Sequence, residues 1–520
     1  MFYDSDKYDP FYAFNHAINN MIDEAFPEHE VKSFISRAVG AVSDCENDRT
    51  PDAETENDAV SAEEETTVSL KKSKAYRISE MLTQHFKVFS DEMNKVFIYN
   101  QETGAYRPYT LKKFRSFLAK TFYAIGRGLS DRLCKEIFAA LQSFPGVPIP
   151  EDDARFWNGD ETRLCCENGV IDLSGEQPRI LPHSPDYRFD YCIKAEYLDD
   201  EELVHPAWDA YVASSLEGNP EKELLLKQMI GYILSDLSRA KKLLVFLGKV
   251  DCGKSVIENF IRSLLPRSSV MSLELNDLDS EFKRVALIGK KVCICHDMKN
   301  RRIRSSSEIK SITGGDFVQV AYKGQDVFDV LIRSKLLVSA NDFPDLGEDD
   351  PEKSFVSRLA VLLFNVSIPP EKQDRELDSK LWNERNAIFS DCVRSLVGFL
   401  QNNQRFTMPQ DSLEFCDKLK QPTPEESFIN ARLEFTGAGK DYVHMQTLET
   451  AFSEYCAANG FVCDFLRLKK LLRQRFGECY GRINRDGKNQ WGYSSVKLID
   501  VKEATSKTYY LYDEEGNNNG

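Results

Sequence analysis

The chain has 520 residues, 42% of them hydrophobic, and a formal net charge of −16. That length is too great for one ordinary core, so three or more globular units are expected. No run of about 18 apolar residues could span a bilayer, and the opening Met1-Phe-Tyr-Asp-Ser-Asp6 lacks the basic and apolar regions of a secretory signal; an intracellular, cytoplasmic protein without a membrane partner is expected.

The acidic balance argues against a broadly basic surface, so a nucleic-acid partner would need local basic elements. Thirteen cysteines are scattered without a C-x-x-C pair and read as reduced thiols. Cys293, Cys295 and His296 resemble metal ligands in spacing, but they fall on an apolar strand pattern and read as core packing.

In chain order, Phe11, Phe14, Ile18, Met21 and Ile22 recur at roughly helical spacing, a short helical arm over 1–42. Residues 43–72 turn acidic with few apolar positions, which predicts a disordered linker, either a solubilising tether or a docking arm. An α+β and helical domain is expected over 73–240. Lys95–Asn100 and Ala105–Tyr109 read as a β-hairpin, and Leu111–Tyr123 and Arg132–Gln142 as helices. Leu164–Leu173 reads as strands around an Asn168-Gly169 turn, and Glu221–Leu234 as a helix. Composition assigns no chemistry to this stretch.

At Leu243–Leu247 a buried strand runs into Gly248-Lys249-Val250-Asp251-Cys252-Gly253-Lys254-Ser255 and then a helix over Val256–Leu265. This is the G-x-x-x-x-G-K-S pattern of a phosphate-binding loop, in which backbone N–H groups and a helix N-terminus face the phosphates. Lys254 would reach the β- and γ-phosphates and Ser255 would hold Mg²⁺, so ATP and Mg²⁺ are the expected ligands. Two further apolar strands end in polar residues, Lys290–Asp297 in a carboxylate and Lys335–Asn341 in an amide. In a parallel sheet both ends would share the loop's edge, where Asp297 would organise Mg²⁺ and polarise a water and Asn341 would orient it. Turn capping is the competing reading for each.

The C-terminal region shows helices over Met445–Ala458 and Leu466–Phe476, then Arg482–Lys488 around Asp486-Gly487 before Trp491. Two helices and a Gly-turn hairpin outline a winged helix. Arg467, Lys469, Lys470, Arg473 and Arg475 on the second helix, with Arg482, Arg485 and Lys488 on the wing, could contact phosphates; a protein-docking module is the alternative.

Gly248–Ser255, the strand ending at Asp297, Glu308–Asp316 with Lys310 and Gly314-Gly315-Asp316, Val320-Ala-Tyr-Lys-Gly324, Leu337–Pro344 and Ser357-Arg358-Leu359 together resemble a superfamily 3 helicase. The likeness is to the helicase part of phage, plasmid and poxvirus-type primase–helicases. The domain before the ATPase and the terminal domain are also similar. The resemblance implies a multidomain α/β fold: a central AAA+ ATPase with a parallel sheet over 241–370, preceded by the α+β domain. A helical connector over 371–419, a winged-helix domain over 420–503 and a tail over 504–520 would follow.

It further implies that Lys323, beside Tyr322, sits on a hairpin projecting into a ring's central channel. Arg358 would act as an arginine finger on the neighbouring subunit's nucleotide, with Lys254, Asp297 and Asn341 as the other catalytic residues. Lys299, Arg301, Arg302 and Arg304 would contact DNA or a neighbour, or form a solvated loop. The expected function is an ATP-dependent, ring-forming replicative helicase of a phage, plasmid or other mobile element, moving 3′→5′ on single-stranded or forked DNA. A homo-hexamer and a separate primase or initiator protein are the implied partners. Two departures stand out: relatives carry Glu where this strand ends in His296-Asp297, and Asn where Cys252 precedes Gly-Lys-Ser. They keep two alternatives open, an ATP-binding origin initiator and a DNA remodeller or translocase that does not unwind.

Overall fold

The structure, a computed structural model, describes residues 73–91, 95–124, 129–144, 147, 157–200, 202–296, 303, 307–343, 355–437, 439–485 and 488–500. The expected arm, acidic linker and tail, and the basic run Lys299, Arg301, Arg302 and Arg304, lie outside the described residues, as does Asp297. The chain divides into two compact units, Met1–Leu413 and Glu414–Gly520.

In the first unit, Ser73 and Ser130 accept N–H groups of the first turns of α1 (Lys74–His85) and, further on, α3 (Asp131–Gln142). Between them lie an antiparallel sheet of β1 (Val88–Ser90), β2 (Val96–Asn100) and β3 (Ala105–Tyr109), and helix α2 (Leu111–Ala124). Phe114, Leu118, Ile137 and Leu141 centre the small core of these helices. A second antiparallel sheet follows, β4 (Arg163–Cys166), β5 (Gly169–Asp172) and β6 (Arg179–Leu181). Its first turn is Glu167-Asn168, not Asn168-Gly169: Gly169 already pairs with Cys166, and its Cβ would lie 2.5 Å from the Leu181 carbonyl oxygen. Helix α4 (Pro206–Ser215) and helix α5 (Pro220–Leu234, capped by Asn219) lead to the main sheet.

That sheet has five parallel strands: β7 (Leu243–Gly248), β8 (Val270–Met271), β9 (Val292–Cys295), β12 (Lys335–Ala340) and β13 (Leu359–Phe364), in the order β13-β7-β12-β9-β8. β9 and β12 are buried along their whole length, as strands covered on both faces must be. Helix α6 (Lys254–Leu264) follows β7 and carries the chain to the far edge at β8. The path returns through β9 and β12, then passes β7 to reach β13. The order therefore reverses around β7, and the carboxyl ends of β7, β9 and β12 share one edge.

Helix α7 (Glu281–Arg284) stands between β8 and β9; between β9 and β12, α8 (Ser307–Gly314) and an antiparallel hairpin of β10 (Phe317–Ala321) and β11 (Val327–Leu331) leave the sheet. Helices α9 (Leu377–Asn383), α10 (Arg385–Gln401) and the start of α11 (Gln410–Lys420) complete the unit. One apolar core joins β4 and β5 to α5, the main sheet and α10.

The second unit runs α12 (Pro424–Arg432), β14 (Leu433–Phe435), β15 (Tyr442–His444), α13 (Met445–Asn459), α14 (Phe465–Phe476), β16 (Tyr480–Arg485), β17 (Lys488–Ser494) and β18 (Val496–Leu498). Its strands form the sheets β15-β17-β16 and β14-β18, around a core of Phe428, Leu448, Phe452, Leu468, Leu472 and Tyr493. No helix among the described residues is long and apolar enough to cross a membrane.

Candidate functional site

The segment Gly248–Ser255 joins β7 to α6 at the reversal point of the sheet. Its shape depends on two glycines. A Cβ on Gly248 would lie 2.3 Å from the Phe364 carbonyl oxygen at the end of β13. Gly253 has φ +95°, and its Cβ would stand 2.4 Å from Ser215 Oγ. Asp251 also takes positive φ, at 59°. The loop is laced to the chain beyond β13 by Ser367 Oγ donating to the Val250 carbonyl (2.9 Å) and Ile368 N–H donating to that of Asp251 (2.7 Å). Cys252 is buried, its thiol 2.9 Å from the Lys249 carbonyl.

Helix α6 starts directly at Lys254, so its first N–H groups and the positive end of its dipole face the loop. Lys254 is 9% exposed, and its Nζ donates to the carbonyls of Gly248 (2.5 Å) and Lys249 (2.8 Å) and to Asn341 Oδ1 (3.2 Å). The lysine and the amide at the end of β12 thus meet as their spacing in sequence predicts. Ser255 is exposed in the first turn of α6.

A cleft of about 540 Å³ opens over this loop. Its floor is the loop with Ser339 and Asn341, and one wall is the segment after β13 with Lys372 and Arg375. The other wall is the end of α4, from the stretch to which composition assigned no chemistry: Tyr211, Ser214 and Ser215 line the cleft. Tyr211 hydroxyl donates to the Gly253 carbonyl (3.3 Å), and burial pushes its pKa well above the ordinary value, which keeps it a donor. Ser215 Oγ is buried and has no hydrogen-bond partner among the described residues. Nothing in the α4 sequence marks these residues, because they reach the site only through tertiary packing.

His296 follows the last residue of β9 and also lines the cleft, a correction to its reading as core. Cys293 and Cys295 are fully buried on β9, Sγ atoms 4.0 Å apart, as core residues should be. His296 stands outside the strand with half its side chain exposed, Nδ1 3.5 Å from Glu258 Oε2 and Nε2 3.1 Å from Arg262 Nη2. Glu258, on α6, is a buried acid lining the cleft that the sequence reading did not single out.

Arg358 does not line the cleft. Its Nη1 donates to the Lys310 carbonyl (3.0 Å) and approaches Thr313 Oγ1 (3.4 Å) near the end of α8. Lys323 is exposed in the turn of the β10–β11 hairpin, next to Tyr322, whose ring stacks on Phe328 at 5.9 Å. Buried Arg284 donates to the Gln319 carbonyl from Nε (3.0 Å) and Nη2 (2.8 Å) and to that of Leu278 from Nη1 (2.7 Å), fixing the hairpin to the body.

In the second unit, α14 and β16 carry the predicted basic residues. Lys469 pairs with Glu449 (2.6 Å) and Arg467 with Glu425 (3.7 Å). Arg473 lies over the Tyr480 ring, Tyr480 stacks on Trp491 at 5.2 Å and 12°, and Arg482 lies over Trp491. Lys470 is exposed on α14, and Lys488 begins β17.

Comparison with known proteins locates two family matches. Residues 79–217 match a family described as D5 N terminal like, and residues 246–358 match a family of unknown function, DUF5906. Among solved structures, the chain is similar to the apo structure of the NrS-1 C terminal region, at 14% identity and a TM-score of 0.43, over 81% of this chain and 98% of that one. It is likewise similar to the A form apo structure of that region, at 13% identity and a TM-score of 0.43, again over 81% and 98%. The D5 N-terminal-like match fits a protein of the phage and viral primase–helicase type.

Proposed function

We propose that this chain is an ATP-hydrolysing DNA helicase of a phage, plasmid or other mobile element, working as a ring. The observation that carries the reading is the convergence of Lys254, Asn341 and the α6 N-terminus on one cleft at the reversal point of a parallel sheet. The cleft's chemistry fits a nucleoside triphosphate with Mg²⁺. Gly253 leaves backbone room that a Cβ would fill, Lys254 is a buried cation, and Ser215 Oγ is an unmatched polar atom facing the cleft.

In this reading the loop N–H groups and Lys254 hold the phosphates, and Ser255 and Asp297 hold Mg²⁺. Bound Mg²⁺ supplies charge neutralisation at the transferring phosphoryl group. Lys254 exchanges its loop carbonyls for phosphate oxygens, and Asn341 beside it orients a water. Tyr211 and Ser214 on one wall, with Lys372 and Arg375 on the other, flank the nucleoside end. Arg358 acts on the neighbouring subunit's nucleotide; its place away from the cleft of its own chain supports a role in trans. Lys323, held out on a hairpin fixed by Arg284, contacts the DNA backbone with Tyr322, and Lys310 supports it from α8. The second unit acts as a winged helix in this reading, which the order of its elements supports, with Arg467, Lys469, Lys470, Arg473 and Lys488 toward DNA. The test is strand separation on a forked duplex with ATP.

The basic and aromatic face of the second unit favours a second reading, an origin-binding initiator for which ATP drives assembly alone. ATP-dependent assembly on duplex origin DNA without strand separation would select it.

A further inference from the structure

Glu258 is the acid in the cleft whose surroundings are least complete. It lies one turn into α6 from Ser255, and both residues line the cleft. Its side chain is 5% exposed. A carboxylate taken out of water costs several kcal/mol unless a cation or good hydrogen bonds compensate. Among the described residues its one charge-range partner is His296, with Nδ1 at 3.5 Å from Oε2, too long for a good hydrogen bond.

Arg262 Nη2 lies 3.1 Å from His296 Nε2, and a guanidinium has only donors. The contact holds the ring with Nδ1 on the side of Glu258. Arg262 is itself fixed by Ser272 Oγ at 3.1 Å. The row Arg262–His296–Glu258 thus orients the carboxylate, and among the described residues no lysine or arginine stands against it. A plain structural ion pair would place Arg262 directly on the acid. Instead Glu258 lines the cleft together with Ser255 and His296.

We infer that Glu258 is a carboxylate for nucleotide-bound Mg²⁺, acting on the metal's water shell beside Ser255, with His296 and Arg262 as positioning residues. The inference rests on the nucleotide reading of the cleft. Mg²⁺ keeps several waters and takes one or two protein carboxylates besides phosphate oxygens, so a single oriented acid at this place suffices. His296 and Arg262 fill the outer-shell role that fixes a ligand's direction.

The test uses the full chain, wild type and Glu258→Gln, titrated with a fluorescent ATP analogue in EDTA and in Mg²⁺. Mn²⁺ affinity of the nucleotide complex is read in parallel by electron paramagnetic resonance. Glu258→Gln should keep the EDTA affinity, lose most of the gain given by Mg²⁺, and bind Mn²⁺ about tenfold more weakly, with Arg262→Ala in the same direction. Retained EDTA affinity also reports an intact fold. If Glu258→Gln does not fold, Glu258→Asp takes its place, and its shorter reach should still lower Mn²⁺ affinity. Unchanged Mn²⁺ affinity in the folded variant overturns the inference, as does an equal loss in EDTA and Mg²⁺, which would mark a structural role. Wild type that binds no nucleotide in either buffer overturns the nucleotide reading itself and the inference with it.

Discussion

Lys254 Nζ and Asn341 Oδ1 lie 3.2 Å apart, joining the loop after β7 to the end of its sheet neighbour β12. The contact links the group expected to bind phosphate with the group expected to orient water. Because Asn341 sits at the end of a fully buried strand and Lys254 at the start of a helix, neither backbone can drift much.

Lys254→Ala should weaken ATP binding at least about tenfold, since a hydrogen bond from a charged group is worth ~1.5–3 kcal/mol. Equilibrium titration with an ATP analogue measures it. Unchanged affinity would remove the lysine from the phosphate site.

Asn341→Ala should leave ATP affinity nearly unaltered while slowing turnover by about 10²-fold, the usual scale for loss of one oriented polar group at a reacting centre. Steady-state hydrolysis at saturating ATP separates the two effects. A change in affinity alone would make Asn341 a binding residue.

Gly253→Ala places a methyl group 2.4 Å from Ser215 Oγ at a φ of +95°. A loss of about 1–3 kcal/mol in urea unfolding is expected, together with weakened nucleotide binding. Gly218→Ala has a positive φ but no atom within 4 Å, so it should cost less. Equal losses would mean that backbone conformation alone, and not the approach of α4, sets the requirement at Gly253.

At the start of β12, burial brings the Lys335 pKa down from 10.5 to about 7, with neighbouring Lys291 and Arg333 in the same direction and Asp236 and Glu161 opposing. Between about pH 7 and 10.5 the unfolded chain binds the extra proton, so this group's contribution to stability rises with pH across that window. Lys335→Met should therefore raise the melting temperature most below pH 7 and progressively less toward pH 10. A gain independent of pH would show that the lysine is not destabilised by its burial.

Lys323→Ala should keep basal ATP hydrolysis and lose strand separation, because Lys323 is exposed in the hairpin turn and does not line the cleft. Forked-duplex unwinding and DNA-free hydrolysis, measured side by side, check it. Normal unwinding would remove the hairpin lysine from the translocation path.

Much of this arrangement was legible in the sequence. The apolar runs at β7 and β12 are fully buried parallel strands, whose signal is a continuous hydrophobic stretch, and the glycine loop stands between strand and helix. The antiparallel pairs at Val96–Tyr109 and Tyr480–Ser494 followed from turn residues between apolar segments. Turn register did not follow, because Gly169 serves the close approach of Leu181 rather than the turn. Tyr211, Ser215 and Glu258 were hidden for another reason. Each sits in an ordinary helix pattern and gains its meaning from what packs against it, information that periodicity along one helix does not contain. His296 was misassigned because strand burial was extended one residue beyond Cys295, where the chain leaves the sheet.

The central claim is that the cleft powers movement on DNA. The most direct measurement is ATP hydrolysis by the purified protein with and without single-stranded DNA, with its mass in solution determined in the presence of a nucleotide analogue. The account predicts turnover stimulated several-fold by DNA from an assembly of several subunits. Tight ATP binding by a monomer, with no turnover in either condition, would contradict it.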